Sequence, residues 1–171
     1  MAAGYSGTPL AKKLGIKNGS VIRLVNPPDH YFSLFDDMPA DVRISTDKKA
    51  KKNLVHYFTR QPGQLQADLP ALKKEIAPDG MIWVSWPKKT SKLASGLTED
   101  VVRKLALQNG LVDVKVCAVD EDWSGLKLVI PVMKMKRGSY SLYGKKVRAS
   151  SKRRRLFLNR QYSTQGKTSI T

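Results

Sequence analysis

Cations and aromatic rings occur together near the end of this chain. Lys145, Lys146 and Arg148 precede the run Lys152-Arg153-Arg154-Arg155 and then Arg160, with Tyr140, Tyr143, Phe157 and Tyr162 interleaved. Guanidinium forks bind phosphate oxygens in pairs, and tyrosine rings offer stacking faces to unpaired bases. The eight cations, with Tyr140 and Tyr143, are therefore the candidate nucleic-acid contacts. RNA is favoured over DNA, ribosomal RNA included, because no groove-reading module is present and arginine-rich arms order on structured RNA. The plain alternatives are a solvated tail or a cloning remnant, and Lys152 to Arg155 also has the composition of a nuclear import signal.

A second constellation is Trp86-Pro87-Lys88-Lys89-Thr90-Ser91. An aromatic plane beside two cations and two hydroxyls suits a phosphorylated or aromatic anion. Asn26 and Arg60 join it if each follows a strand of one parallel sheet, since ligands gather at the carboxyl ends of such strands. Ser6, Gly7 and Thr8 would add backbone donors at a helix start. The alternative is a surface loop with lysines in water and Trp83 and Trp86 in the core. No general acid/base pair stands out.

The remaining reactive types point to structural roles. His30 and His56 are 26 residues apart, which is not ligand spacing on one helix face. Cys117 reads as a packed thiol, and one cysteine makes neither an intrachain disulfide nor a metal cluster. Gly166-Lys167-Thr168 imitates the end of a phosphate loop, but Gln161 stands where its first glycine belongs.

Charge divides the chain that must position these groups. The 171 residues carry 31 Lys+Arg against 14 Asp+Glu, a net charge of +17. All 14 acids and 19 of the bases lie at or before Val132; the 39 residues beyond it hold 12 bases and no acid. A folded unit over 1–132 and a flexible basic arm over 133–171 are expected, because like charges this dense repel one another. No apolar run approaches the roughly 20 residues of a membrane span, and no secretory leader is visible. A cytoplasmic protein without a membrane partner is expected.

Within 1–132 strands alternate with helices. Thr8-Pro9 starts a short helix carrying Leu10 and Leu14, and Ser20 to Val25 is a strand stopped by Asn26-Pro27-Pro28. Asp29 caps a second helix bearing Tyr31, Phe32, Leu34 and Phe35. Strands follow at Asp41 to Ser45 and Leu54 to Thr59. A helix spaces Leu69, Leu72 and Ile76, with Pro70 near its start. Met81 to Trp86 is an apolar strand, and a helix runs from the Thr98 cap to Gln108, ended by Gly110. Val112 to Val119 and Leu126 to Val132 form an antiparallel hairpin, the first with Val112, Val114, Val116 and Ala118 on its buried face. The fold class is α/β: a Rossmann-like, mostly parallel sheet with helices on both faces, a C-terminal antiparallel hairpin and a disordered basic tail.

Four ordered segments carry a resemblance: Gly4 to Leu10, Trp83 to Lys89, Leu97 to Val102, and Val112 to Asp120 with Trp123 to Lys127. Together they resemble the bacterial domain-of-unknown-function family numbered three thousand and fifty-two, over about residues 4 to 132. That family implies no activity and does not reach the arm. A looser, architectural likeness joins the strand after Asp79-Gly80, the next helix and the hairpin to the second half of the nucleotide-methyltransferase fold. It implies a cofactor on a glycine-rich turn after the first strand, where this chain has Asn26-Pro27-Pro28. The same tripeptide is similar to the catalytic tetrapeptide of amino-group methyltransferases, with Asp29 in place of the aromatic residue. No cofactor is expected. The leading expectation is a non-catalytic RNA-binding or ribosome-associated protein. The rivals are an enzyme or nucleotide-like anion binder of methyltransferase-like ancestry, and a protein–protein adaptor.

Overall fold

Alternate side chains of two central strands point into two different cores, and this sets the architecture. The computed structural model describes residues 7–136, 139–142 and 145–147. The elements of the first unit, which ends at Ile130, are α1 (Leu10–Leu14), β1 (Val21–Val25), a 3-10 turn (Tyr31–Leu34), β2 (Arg43–Ile44), β3 (Lys52–Phe58), α2 (Pro62–Glu75), β4 (Ile76–Pro87), α3 (Glu99–Gln108), β5 (Val112–Ala118) and β6 (Trp123–Val129). Val55 and Tyr57 of β3, Ile82, Val84 and Trp86 of β4, and Leu126 and Leu128 of β6 face the core under α2 and α3. Leu54, Trp83 and their neighbours face the core under α1, and Phe58 packs with Tyr31 and Trp123. A period of two in the strands thus buries both faces of the sheet.

The strand order is β2-β1-β3-β4-β6-β5. β1 pairs in parallel with β2 and β3, and β3 with β4. β6 runs against both β4 and β5. The expected mostly parallel sheet, helices on both faces and closing antiparallel hairpin are all present. No helix among the described residues is long and apolar enough to cross a membrane.

Four local expectations need correction. The segment after Asp29 is a single 3-10 turn with His30 at its N-cap. Pro70 lies well inside α2, which Pro62 begins at its first turn; burial of Leu65, Leu69 and Leu72 holds the helix across it. Thr8 caps nothing, since Pro9 is the N-cap residue of α1. In β5 the pairing shifts between Asp113 and Lys115, and Val114 and Val116 are 43% and 44% exposed. The bulge breaks the even alternation, and β5 is the sheet's edge.

Three strands also lie in the segment expected to lack regular structure: β7 (Met133–Lys136), β8 (Ser139–Leu142) and β9 (Lys145–Val147), in one antiparallel sheet. Their register sets Met133 opposite Leu142 and Met135 opposite Tyr140, which in turn faces Val147. Apolar residues at every second position supply a strand period that the charge density obscured.

Candidate functional site

The Trp86 to Ser91 segment leaves the carboxyl end of β4 and is held against the β5–β6 turn. The Lys88 amide donates to the Asp122 carbonyl at 2.7 Å, and its ammonium to the Asp120 carbonyl at 2.6 Å. Ser91 Oγ donates to the Asp122 carboxylate at 2.6 Å. The Asp120 carboxylate accepts the amides of Asp122 and Trp123, and its other oxygen lies 2.9 Å from His30 Nε2. The clamp leaves Lys89 and Thr90 exposed. Trp86, Lys88 and Lys89 line one cavity of about 370 Å³ with Leu97, Thr98, Glu99, Asp100, Val116 and Ser124. Its walls carry both signs of charge.

The other expected ligand residues are distributed differently. Asn26 and Arg60 stand just beyond β1 and β3, but neither lines that cavity. Thr8 lines a different one, Gly7 is exposed, and Ser6 lies outside the described residues. Of the candidate nucleic-acid contacts, Tyr140 falls in β8 and Lys145 and Lys146 in β9. Tyr143, Arg148, Lys152, Arg153, Arg154, Arg155 and Arg160 lie outside the described residues.

Between β1 and β3 the strand order reverses, the place where open α/β sheets hold ligands. Here Asn26, at φ 52°, donates its side-chain amide to the Phe58 carbonyl at 3.4 Å and so ties the two strand ends together. Pro27 and Pro28 bring no amide donor. Tyr31, 2% exposed, packs its ring edge-on against Phe58, whose other neighbours are His56 and Trp123. The residues present do not fit a methyl donor held on a glycine-rich turn. Behind them, His56 is wholly buried, with Nδ1 3.1 Å from the Tyr31 hydroxyl and Nε2 2.8 Å from Ser85 Oγ. Desolvation pushes its pKa down to about 3 and pushes the Tyr31 phenol up. Neutral imidazole satisfies both hydroxyls, which makes this a core polar network.

A further cavity, about 500 Å³, was not anticipated. Thr8, Lys12, Lys13, Lys115, Val116, Cys117 and Ala118 line it. Burial pushes the Cys117 thiol up, opposed by Lys115 and Lys13. One feature of the sequence could have revealed this surface: no acidic residue precedes Asp29, so Lys12, Lys13 and Lys17 stand in an acid-free segment.

The reversed β6 inserted beside an otherwise parallel sheet defines a Rossmann-like α/β fold. Among similar solved structures is a "possible exported protein" of Bordetella parapertussis, with 11% identity over 72% of this chain and 66% of that one, at a TM-score of 0.53. A fibrillarin pre-rRNA processing protein of Methanococcus jannaschii has 10% identity over 74% and 70%, at 0.47. A SAM-dependent methyltransferase of Aquifex aeolicus has 13% identity over 71% and 87%, at 0.48. At these identities the likeness is one of fold. No protein-family model matches the chain, and no curated protein matches it.

Proposed function

We propose that this protein is a non-catalytic, cytoplasmic RNA-binding or ribosome-associated protein whose α/β unit positions a basic C-terminal arm. One observation carries the reading: 12 bases and no acid in the 39 residues after Val132, with tyrosines among them. A solubility tail needs no such exclusion of carboxylates, whereas each phosphate contact gains from releasing a condensed counterion. Kinship with the bacterial family of unknown function belongs to the same proposal and rests on the four ordered segments. The test is anisotropy of a labelled single-stranded RNA against salt. Arg153→Gln/Arg154→Gln/Arg155→Gln should flatten the log affinity versus log salt slope by about 2 to 3. Absence of binding by the unaltered chain at low salt would end this reading.

A second reading is a small-anion binder on a methyltransferase-like scaffold. Its support is the single cavity around which Trp86, Lys88 and Lys89 meet. Lys88 is engaged by the Asp120 carbonyl, so Lys89 is the residue to test. A nucleotide that raises the melting temperature of the unaltered chain should do so much less for Lys89→Ala.

A further inference from the structure

Trp83 on β4, Lys127 on β6 and Lys115 on β5 are direct partners across three neighbouring strands. They stand side by side on the sheet face that α1 covers, and the Lys115 ammonium lies 6.0 Å from the centre of the Trp83 ring. Two lysines directly opposite each other on adjacent strands destabilise a sheet. The neighbouring elements add to the repulsion. α1 brings Lys12 and Lys13 to the cavity that Lys115 also lines, and Lys17 follows in the next loop. Burial first, then Lys115 and Lys17, hold the Lys127 ammonium below the ordinary lysine value, so these charges act on one another.

Among the described residues, Lys12, Lys17, Lys115 and Lys127 make no ion pair, and no acid lines the cavity. The arrangement is also held in place: the Trp83 indole N–H donates to the Leu14 carbonyl at 2.8 Å, fixing the end of α1 to β4. Ordinary explanations cover part of it. Lys12 and Lys13 complement the carboxyl end of α1, and Lys115 beside a bulge protects the edge strand from pairing. Lys127 is not on the edge, and facing Lys115 it serves neither purpose.

We propose that this face is a phosphate-binding site, in which a ligand bearing several phosphate groups lies across α1 and the β5–β6 pair and is held by Lys12, Lys17, Lys115 and Lys127. Phosphate oxygens restore the missing negative charge, and the hydroxyl of Thr8 supplies a neutral donor to the same cavity. The phosphates belong either to a small polyphosphate or to a nucleic-acid backbone. The site uses the lysines of the folded unit and stands whether or not the arm binds RNA.

The test is the melting temperature of the full chain in sodium tripolyphosphate against sodium chloride of equal ionic strength. Near tenfold saturation the unaltered protein should gain about 2–5 °C over the chloride control. Lys115→Gln/Lys127→Gln should lose that gain and, without ligand, melt at or above the unaltered chain, because the opposed charges are gone. Should the double variant fold poorly, Lys12→Gln/Lys17→Gln makes the same test on exposed residues and should at least halve the gain. Equal gains in the unaltered chain and in either variant would overturn the site. The arm variant Arg153→Gln/Arg154→Gln/Arg155→Gln should keep the full gain; losing it would also overturn the site, by moving the phosphate to the arm. A dodecameric RNA that displaces tripolyphosphate supports the site with a backbone ligand, and one that does not supports it with a small polyphosphate.

Discussion

His56 shows what a buried polar group costs when it must stay neutral. Its ring stacks on Phe58 with centroids 4.3 Å apart and is hydrogen-bonded at both nitrogens, with no water-facing edge. Its pKa is about 3 in the folded protein, against about 6.5 when unfolded. Between those values the unfolded chain binds a proton that the folded chain does not. Stability contributed by the neutral ring is therefore complete above about pH 6.5 and falls as pH drops, by about 1.4 kcal/mol per unit. Urea unfolding at pH 7 and pH 5 should show a loss of about 2 kcal/mol from this source, absent in His56→Gln. An identical loss in both proteins would mean that the ring is protonated in the fold. Gly80 poses the opposite problem, one of space. A Cβ there would sit 2.8 Å from the Lys52 carbonyl oxygen and 3.0 Å from backbone atoms of Ala77. None of these belongs to a flexible side-chain end, so Gly80→Ala should cost about 1–3 kcal/mol in denaturant unfolding.

Helix α2 is where local rules and tertiary burial conflict. Pro70 has no amide for the helical ladder and crowds the preceding turn, a defect of about 3 kcal/mol in a helix interior. Leu65, Leu69 and Leu72 are nevertheless buried beneath it, and the helix continues to Glu75. Because Pro70 itself is exposed, Pro70→Ala should raise stability by about 1–3 kcal/mol, measured by chemical denaturation. The same conflict explains which elements were legible in the sequence. β3, β4 and β6 were, because runs such as Ile82-Trp83-Val84 carry their apolar character without help. The start of α2 was not, since Pro70 argued for a later one. The bulge at Val114 was hidden because Val112 to Ala118 alternates evenly on paper. At the site, Trp86, Lys88 and Lys89 line one cavity, whereas Asn26 and Arg60, expected on the same sheet edge, do not. The pairing of Lys115 with Lys127 was invisible, because a register between strands is fixed by the whole sheet and leaves no trace in either strand alone.

At the scale of the whole chain, five of the folded unit's 14 carboxylates are taken up in ion pairs among the described residues, and where those pairs fall decides how the molecule responds to salt. Glu75 holds Arg23 and Lys52; Glu99, Asp100 and Asp113 converge on Arg103; Asp120 meets His30. Lys12, Lys17, Lys115 and Lys127 receive nothing from these acids, and the chain as a whole is left at +17. Repulsion of this kind acts over the Debye length, about 30 Å at 0.01 M salt and about 10 Å at 0.1 M. Exposed ion pairs weaken with salt as well, but each is worth about 0–1 kcal/mol, and the buried Lys52 and Glu75 are screened little. Relief of repulsion should therefore dominate. Calorimetry should show the melting temperature rising by a few degrees, about 2–4 °C per kcal/mol relieved, as sodium chloride goes from 10 to 200 mM. Lys115→Gln/Lys127→Gln should reduce that rise. A melting temperature that falls over the same range would mean that the Arg103 and Arg23 pairs outweigh the lysine repulsion, and that the cationic face exacts no cost for an anion to relieve.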